Sequence, residues 1–171
     1  MQNIFLIGMM GCGKTTIGKA LALKINYPFF DSDSEIEAKC GTSISTIFTL
    51  EGEVGFRKRE KDIINVLTQK KNIVLATGGG AILYEDNRKA LKNNGIIIYL
   101  TADLDSLWQR TSQDKTRPLL DNKKPQEVLK NLYEQRDPIY RKLANYTFDS
   151  SKSNISSLLN QILNCIKKNN I

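Results

Sequence analysis

Gly8-Met9-Met10-Gly11-Cys12-Gly13-Lys14-Thr15-Thr16 decides how this chain is read. The stretch matches G-x-x-x-x-G-K-[ST] in full. It follows the apolar run Ile4-Phe5-Leu6-Ile7 and precedes residues 17–23, which carry a helical pattern. Strand, loop and helix in that order are the context the motif requires. Glycines let successive backbone N–H groups turn inward. Those amides and the positive end of the following helix then cradle phosphate oxygens. Lys14 is placed to neutralise the outer phosphates of a nucleotide, and the Thr15 hydroxyl to ligate Mg²⁺.

Outward from this loop, strand and helix alternate to the end of the chain. Strands are predicted at 3–7, 28–31, 73–76, 96–100 and 146–148. Helices are predicted at 14–25, 34–40, a short stretch capped by Ser43 or Ser45, then 53–69, 86–93, 103–109, from 125 through 133, and 155–166. Pro138 is expected to break or kink the helix that holds it. Residues 111–124 are polar and without periodicity, which marks either disorder or a functional loop. Five strands with helical crossovers make a three-layer α/β/α sandwich around a parallel sheet. Ligands sit at the carboxyl ends of such strands. That rule gathers the loops at 8–15, 31–33 and 77–80 into one site.

Composition narrows the function. A length of 171 residues suits one domain, and no apolar run reaches membrane-spanning length. Ile4 to Ile7 is too short for a signal core, so the chain is expected to be cytoplasmic and to open directly on its first strand. Three scattered cysteines argue against a disulfide framework or a zinc site, and fit a reducing compartment. There is no histidine, so acid–base chemistry falls to carboxylates, Lys, Tyr or Cys. The net charge of +7 is spread in short patches without interleaved aromatics. This suits small anionic ligands better than nucleic acid.

Asp31 and Asp33 lie two apart in an extended segment, which directs both carboxylates to one face. Beside a nucleotide cradle they read as metal ligand and proton acceptor, with helix capping as the alternative. Gly78-Gly79-Gly80 after a buried strand admits close approach of backbone to a ligand. Arg57 and Glu60, at i and i+3, can pair; by themselves they read as a surface ion pair. Arg117, in the polar loop, is either a solvated charge or a group that closes over phosphates. Arg136 is open in the same way.

Taken together, these motifs resemble the shikimate kinase family of nucleoside-monophosphate-kinase-like enzymes. The resemblance rests on the early phosphate loop, Phe30-Asp31-Ser32-Asp33, Gly52-Glu53-x-x-Phe56-Arg57-x-x-Glu60, Leu75-Ala76-Thr77-Gly78-Gly79-Gly80-Ala81 and Arg117-Pro118-Leu119-Leu120, in that order along nearly the whole chain. It implies a P-loop kinase fold with a five-stranded sheet of order 2-3-1-4-5. It also implies one kinase domain over 1–171, a substrate-binding helical segment at about 32–60 and a lid at about 111–124. The activity implied is transfer of the ATP γ-phosphate to the 3-hydroxyl of shikimate, with one Mg²⁺, by a monomer without nucleic-acid or membrane partners.

The resemblance also distributes roles. Gly11, Cys12, Gly13, Lys14, Thr15 and Thr16 would bind ATP. Asp31 would reach the metal through water, and Thr15 directly. Asp33 would take a hydrogen bond from the attacking hydroxyl. Arg57 and Arg136 would clamp the substrate carboxylate, with Glu60 orienting Arg57. Gly79 and Gly80 would offer amides to the substrate. Arg117 would enter from the lid, and Arg110 would lie along the adenine. Two positions depart from the pattern. After the last strand the family's adenine-contacting arginine is replaced by Lys152, which cannot stack as a guanidinium does. Cys12 sits in the phosphate loop, where a thiol at a helix N-terminus is reactive, so its oxidation or alkylation is expected to block ATP. A gluconate kinase is the nearest alternative within the branch, and a nucleotide-dependent RNA-binding protein is the alternative of another class.

Overall fold

The computed structural model describes residues 2–112 and 124–168. Its strands are β1 (Asn3–Ile7), β2 (Phe29–Asp31), β3 (Val74–Ala76), β4 (Gly95–Thr101) and β5 (Tyr146–Asp149). They form one sheet of order β2-β3-β1-β4-β5, parallel throughout. β1 is central and buried along its whole length, as an apolar strand between two partners should be. Ile4 pairs with Val74 on one side and Ile96 on the other.

The helices are α1 (Lys14–Ile25), α2 (Ser32–Cys40), α3 (Ile44–Thr68), α4 (Glu85–Asn94), α5 (Leu104–Thr111), α6 (Pro125–Leu143) and α7 (Ile155–Lys168). α1 lies against β1, β2 and β3 and packs on α7, while α4 and α6 lie against β4. Gly18 makes the seating of α1 possible: a Cβ there would stand 2.5 Å from the Phe29 ring. The α/β/α layering and strand order are those expected.

Two elements differ in detail. The two helices expected at 43–50 and 53–69 are joined as α3, with one non-helical residue, Gly52 (φ 68°, ψ −175°), at the junction. Phe48 and Phe56, on either side, pack at a 37° tilt with ring centroids 4.8 Å apart, which holds the two parts together. α6 continues through Pro138 to Leu143 instead of ending there. One proline removes one backbone bond, and the buried Tyr140 beyond it, packed on Tyr99, secures the helix there.

Candidate active site

The loops after β1, β2 and β3 converge at the carboxyl edge of the sheet around a cleft of about 560 Å³. One wall is the phosphate loop. Gly8, Gly11 and Gly13 all have positive φ, 144°, 79° and 93°. Gly13 caps α1 without any side-chain hydrogen bond, and the first turn of α1 has no acidic residue. Among the described residues no side chain caps this helix end, which suits an anion. Lys14 folds back over the loop and donates to the carbonyls of Gly8 (2.8 Å) and Met9 (2.9 Å). Thr16 and Gly11 line the cleft beside it.

Cys12 does not face this cleft. It is 0% exposed and belongs to the core cluster, with its Sγ 3.7 Å from Lys14 Nζ. The loop turns this side chain inward. The reactive thiol expected at the loop is therefore corrected to a packing group.

Asp31 serves two ends at once. Its Oδ1 accepts from the amides of Asp33 (3.1 Å) and Ser34 (3.5 Å), which caps α2. Its Oδ2 accepts from the Thr15 hydroxyl at 2.8 Å. Asp31 thus caps α2 and also lines the cleft. The extended spacing expected of Asp31 and Asp33 does not hold: β2 ends at Asp31, and Asp33 is already in the first turn of α2. Both still line the cleft. Thr15 and Asp31 are hard oxygen donors set side by side. No group of three or more His, Cys, Asp or Glu residues among the described residues forms a metal cage. This donor set fits Mg²⁺, which keeps waters and phosphate oxygens in its shell.

The opposite wall carries buried charge. Arg57 is 5% exposed and Glu60 is 0%, so their pair is interior and not a surface ion pair. Arg57 Nη1 donates to Glu60 Oε2 at 2.8 Å, and its Nε and Nη2 donate to Glu53 Oε1 at 3.2 and 2.9 Å. Burial pushes the Glu60 carboxyl up to about 7, with Arg57 pulling against it and Asp33 adding to it. Glu60 and Asp33 meet at Gly78, where a Cβ would stand 2.7 Å from an oxygen of each. Gly80 lies flat on the Arg57 guanidinium, where a Cβ would stand 2.2 Å from Nη2.

Arg136 comes from α6 and is 3% exposed. Its Nε and Nη1 find no hydrogen-bond partner among the described residues. Burial pushes this guanidinium below its ordinary range, and the Arg57 charge acts in the same direction. Two buried guanidiniums, one with unused donors, are thus held beside the Gly78-Gly79-Gly80 loop. Ile44, Phe48 and Phe56 supply an apolar side to the cleft.

Arg110 braces the far end of the phosphate loop. It donates to the Gly11 carbonyl (3.2 Å), Ser150 Oγ (3.3 Å) and the Ser150 carbonyl (3.2 Å). Lys152 is not brought to the cleft: its side chain is 81% exposed and pairs with Asp149 at 3.2 Å. Arg117, and with it most of the segment expected as a lid, lies outside the described residues. Sequence reasoning missed Glu53 as a partner of Arg57, although it stands one helical turn earlier. It also missed Tyr140, whose hydroxyl donates to the Gly79 carbonyl. The one signal for Tyr140 was its position one turn beyond Arg136.

The family model for shikimate kinase matches residues 10–167. A shikimate kinase of Burkholderia lata is 52% identical over 94% of this chain and 88% of its own length. One of Haemophilus influenzae is 49% identical over 99% and 94%. Among solved structures, shikimate kinase from Acinetobacter baumannii in complex with shikimate superposes with a TM-score of 0.96 at 47% identity, covering 99% of this chain and 94% of that one. A gluconokinase from Sinorhizobium meliloti, at 16% identity and a TM-score of 0.64 over 98% and 92%, shares the fold alone. A full phosphate loop, a buried arginine pair and relatives at about half identity over nearly the whole chain agree: the chain belongs to the shikimate kinase family.

Proposed function

We propose that this chain transfers the γ-phosphate of ATP to the 3-hydroxyl of shikimate. The observation that carries the substrate side is Arg136, buried beside Arg57 with Nε and Nη1 unused among the described residues. Glu60 and Glu53 engage Arg57, and the remaining donors call for a further anion. A carboxylate supplies the planar pair of acceptors that guanidiniums match.

In this reading the α1 amides and Lys14 hold the ATP phosphates. Lys14 exchanges its loop carbonyls for phosphate oxygens. Thr15 and Asp31 hold Mg²⁺, Asp31 through water, and the ion when bound offsets charge on the transferring phosphoryl group. Asp33, on the substrate wall, accepts the hydrogen bond of the attacking hydroxyl and orients it in line. Arg57 and Arg136 hold the carboxylate, Glu60 keeps Arg57 in place, and Gly79 and Gly80 contact the ring substituents. Arg110 borders the adenine, and Arg117 adds positive charge at the phosphates. The protein acts as a cytosolic monomer. No helix among the described residues is long and apolar enough to cross a membrane, and Cys12 and Cys40 are free thiols, which supports a reducing location.

The test is coupled ADP release with shikimate or gluconate, with and without Mg²⁺. Shikimate-dependent, Mg²⁺-dependent turnover is expected. Turnover on gluconate alone, or none on either acid, overturns the proposal. Size-exclusion chromatography with light scattering tests the monomer.

A further inference from the structure

We propose that Tyr140 is a positioning residue for the substrate half of the cleft, acting through the Gly79 carbonyl. This rests on the shikimate reading above. Tyr140 is 0% exposed and touches neither solvent nor the cleft. A buried hydroxyl must place its hydrogen bond, and this one donates to the Gly79 carbonyl. The bond has a consequence on the other side of the peptide. A trans peptide is planar, with its C=O and the following N–H pointing in opposite directions. Anchoring the Gly79 carbonyl on the buried side therefore turns the Gly80 N–H toward the open side, where Gly80 lines the cleft.

Arg136 stands one turn earlier on the same helix, and the Tyr140 hydroxyl also faces the phosphate loop through Met9. The Met9 sulfur lies 3.9 Å away. The β3 loop abuts the phosphate loop here: a Cβ on Gly79 would stand 3.5 Å from the Gly8 carbonyl and the Met10 amide. One hydroxyl thus sits where the phosphate loop and the glycine loop meet. Its ring is fixed by stacking on Tyr99, centroids 4.9 Å apart.

Tyr99 supplies the control. Its hydroxyl donates to Asp137 Oδ1 at 2.7 Å, in the same ring pair but away from the glycine loop. Tyr140→Phe keeps the ring and deletes only the hydroxyl. It should raise the KM for shikimate about three- to tenfold, the worth of one or two hydrogen bonds, while kcat and the KM for ATP stay within about twofold. Tyr99→Phe should lower the melting temperature and leave both KM values unchanged. Melting curves of both variants establish that they fold. An unchanged shikimate KM in Tyr140→Phe overturns the inference, as does a parallel rise for ATP or an equal rise in Tyr99→Phe. A wild-type protein without shikimate turnover overturns the substrate reading and this inference with it. An active wild type with an indifferent Tyr140→Phe overturns this inference alone.

Discussion

Replacing Gly80 by alanine tests whether the Arg57 clamp is set by contact with the glycine loop. Gly80 has φ −89° and ψ −6°, a conformation open to any residue, so the backbone presents no obstacle. The obstacle is space. The new methyl would stand 2.2 Å from Arg57 Nη2, 2.4 Å from Nη1 and 2.5 Å from Cζ. Ordinary contact begins near 3.5 Å, so the guanidinium must retreat by roughly 1 Å. It cannot do so and keep its bonds to Glu60 at 2.8 Å and Glu53 at 2.9 Å. Disturbing one partner of a buried, hydrogen-bonded charge pair costs about 2–3 kcal/mol, which is roughly 30- to 150-fold in the KM for shikimate. The phosphate loop makes no such contact, so the KM for ATP should stay within about twofold. Coupled ADP release with each substrate varied in turn reads both. An unchanged shikimate KM in Gly80→Ala would refute the reasoning, as would an ATP KM that rises in step.

Other consequences follow from the same walls. Thr15→Ala should raise the Mg²⁺ concentration giving half-maximal activity by about tenfold, with little effect on the shikimate KM. An unchanged Mg²⁺ titration removes Thr15 from the metal site. Glu60 is raised to about 7 in the folded protein from 4.5, chiefly by burial. The native state then binds its proton more tightly than the unfolded chain does. Its contribution to stability is full below about pH 4.5 and is lost as the pH rises through 7. Glu60→Gln should abolish that decline, gaining up to about 3 kcal/mol on wild type between pH 4.5 and 8 in urea unfolding. Parallel profiles would show that Glu60 does not titrate in this window. Cys12 should resist N-ethylmaleimide in the native protein while the half-buried Cys40 and Cys165 label, read by peptide mass spectrometry. Labelling of native Cys12 with loss of ATP binding would reinstate its reactivity.

The fold was legible because it is local and periodic. A four-residue apolar run before a glycine loop reads as a central strand, and β1 is buried on every residue. The nucleotide half of the cleft was legible for a related reason. The phosphate loop carries Lys14 and Thr15 on consecutive residues, so one short motif holds its geometry. Side-chain direction within irregular backbone was not legible. Cys12 turns inward, into the core cluster. Asp33 reaches the cleft from a helix, not a strand, because Asp31 caps α2 and ends the extended run. The substrate half was illegible for a different reason. Arg57 and Glu60 at i and i+3 can pair on any helix, and nothing in that spacing distinguishes a solvated pair from an interior one. Burial comes from Gly80, laid over the guanidinium after β3, and from Arg136, brought in on α6. Three segments far apart in sequence must converge before the pair acquires its shortage of anions. The charge that would select a carboxylate is thus a property of the sheet order, which sets these loops side by side, and of no single motif.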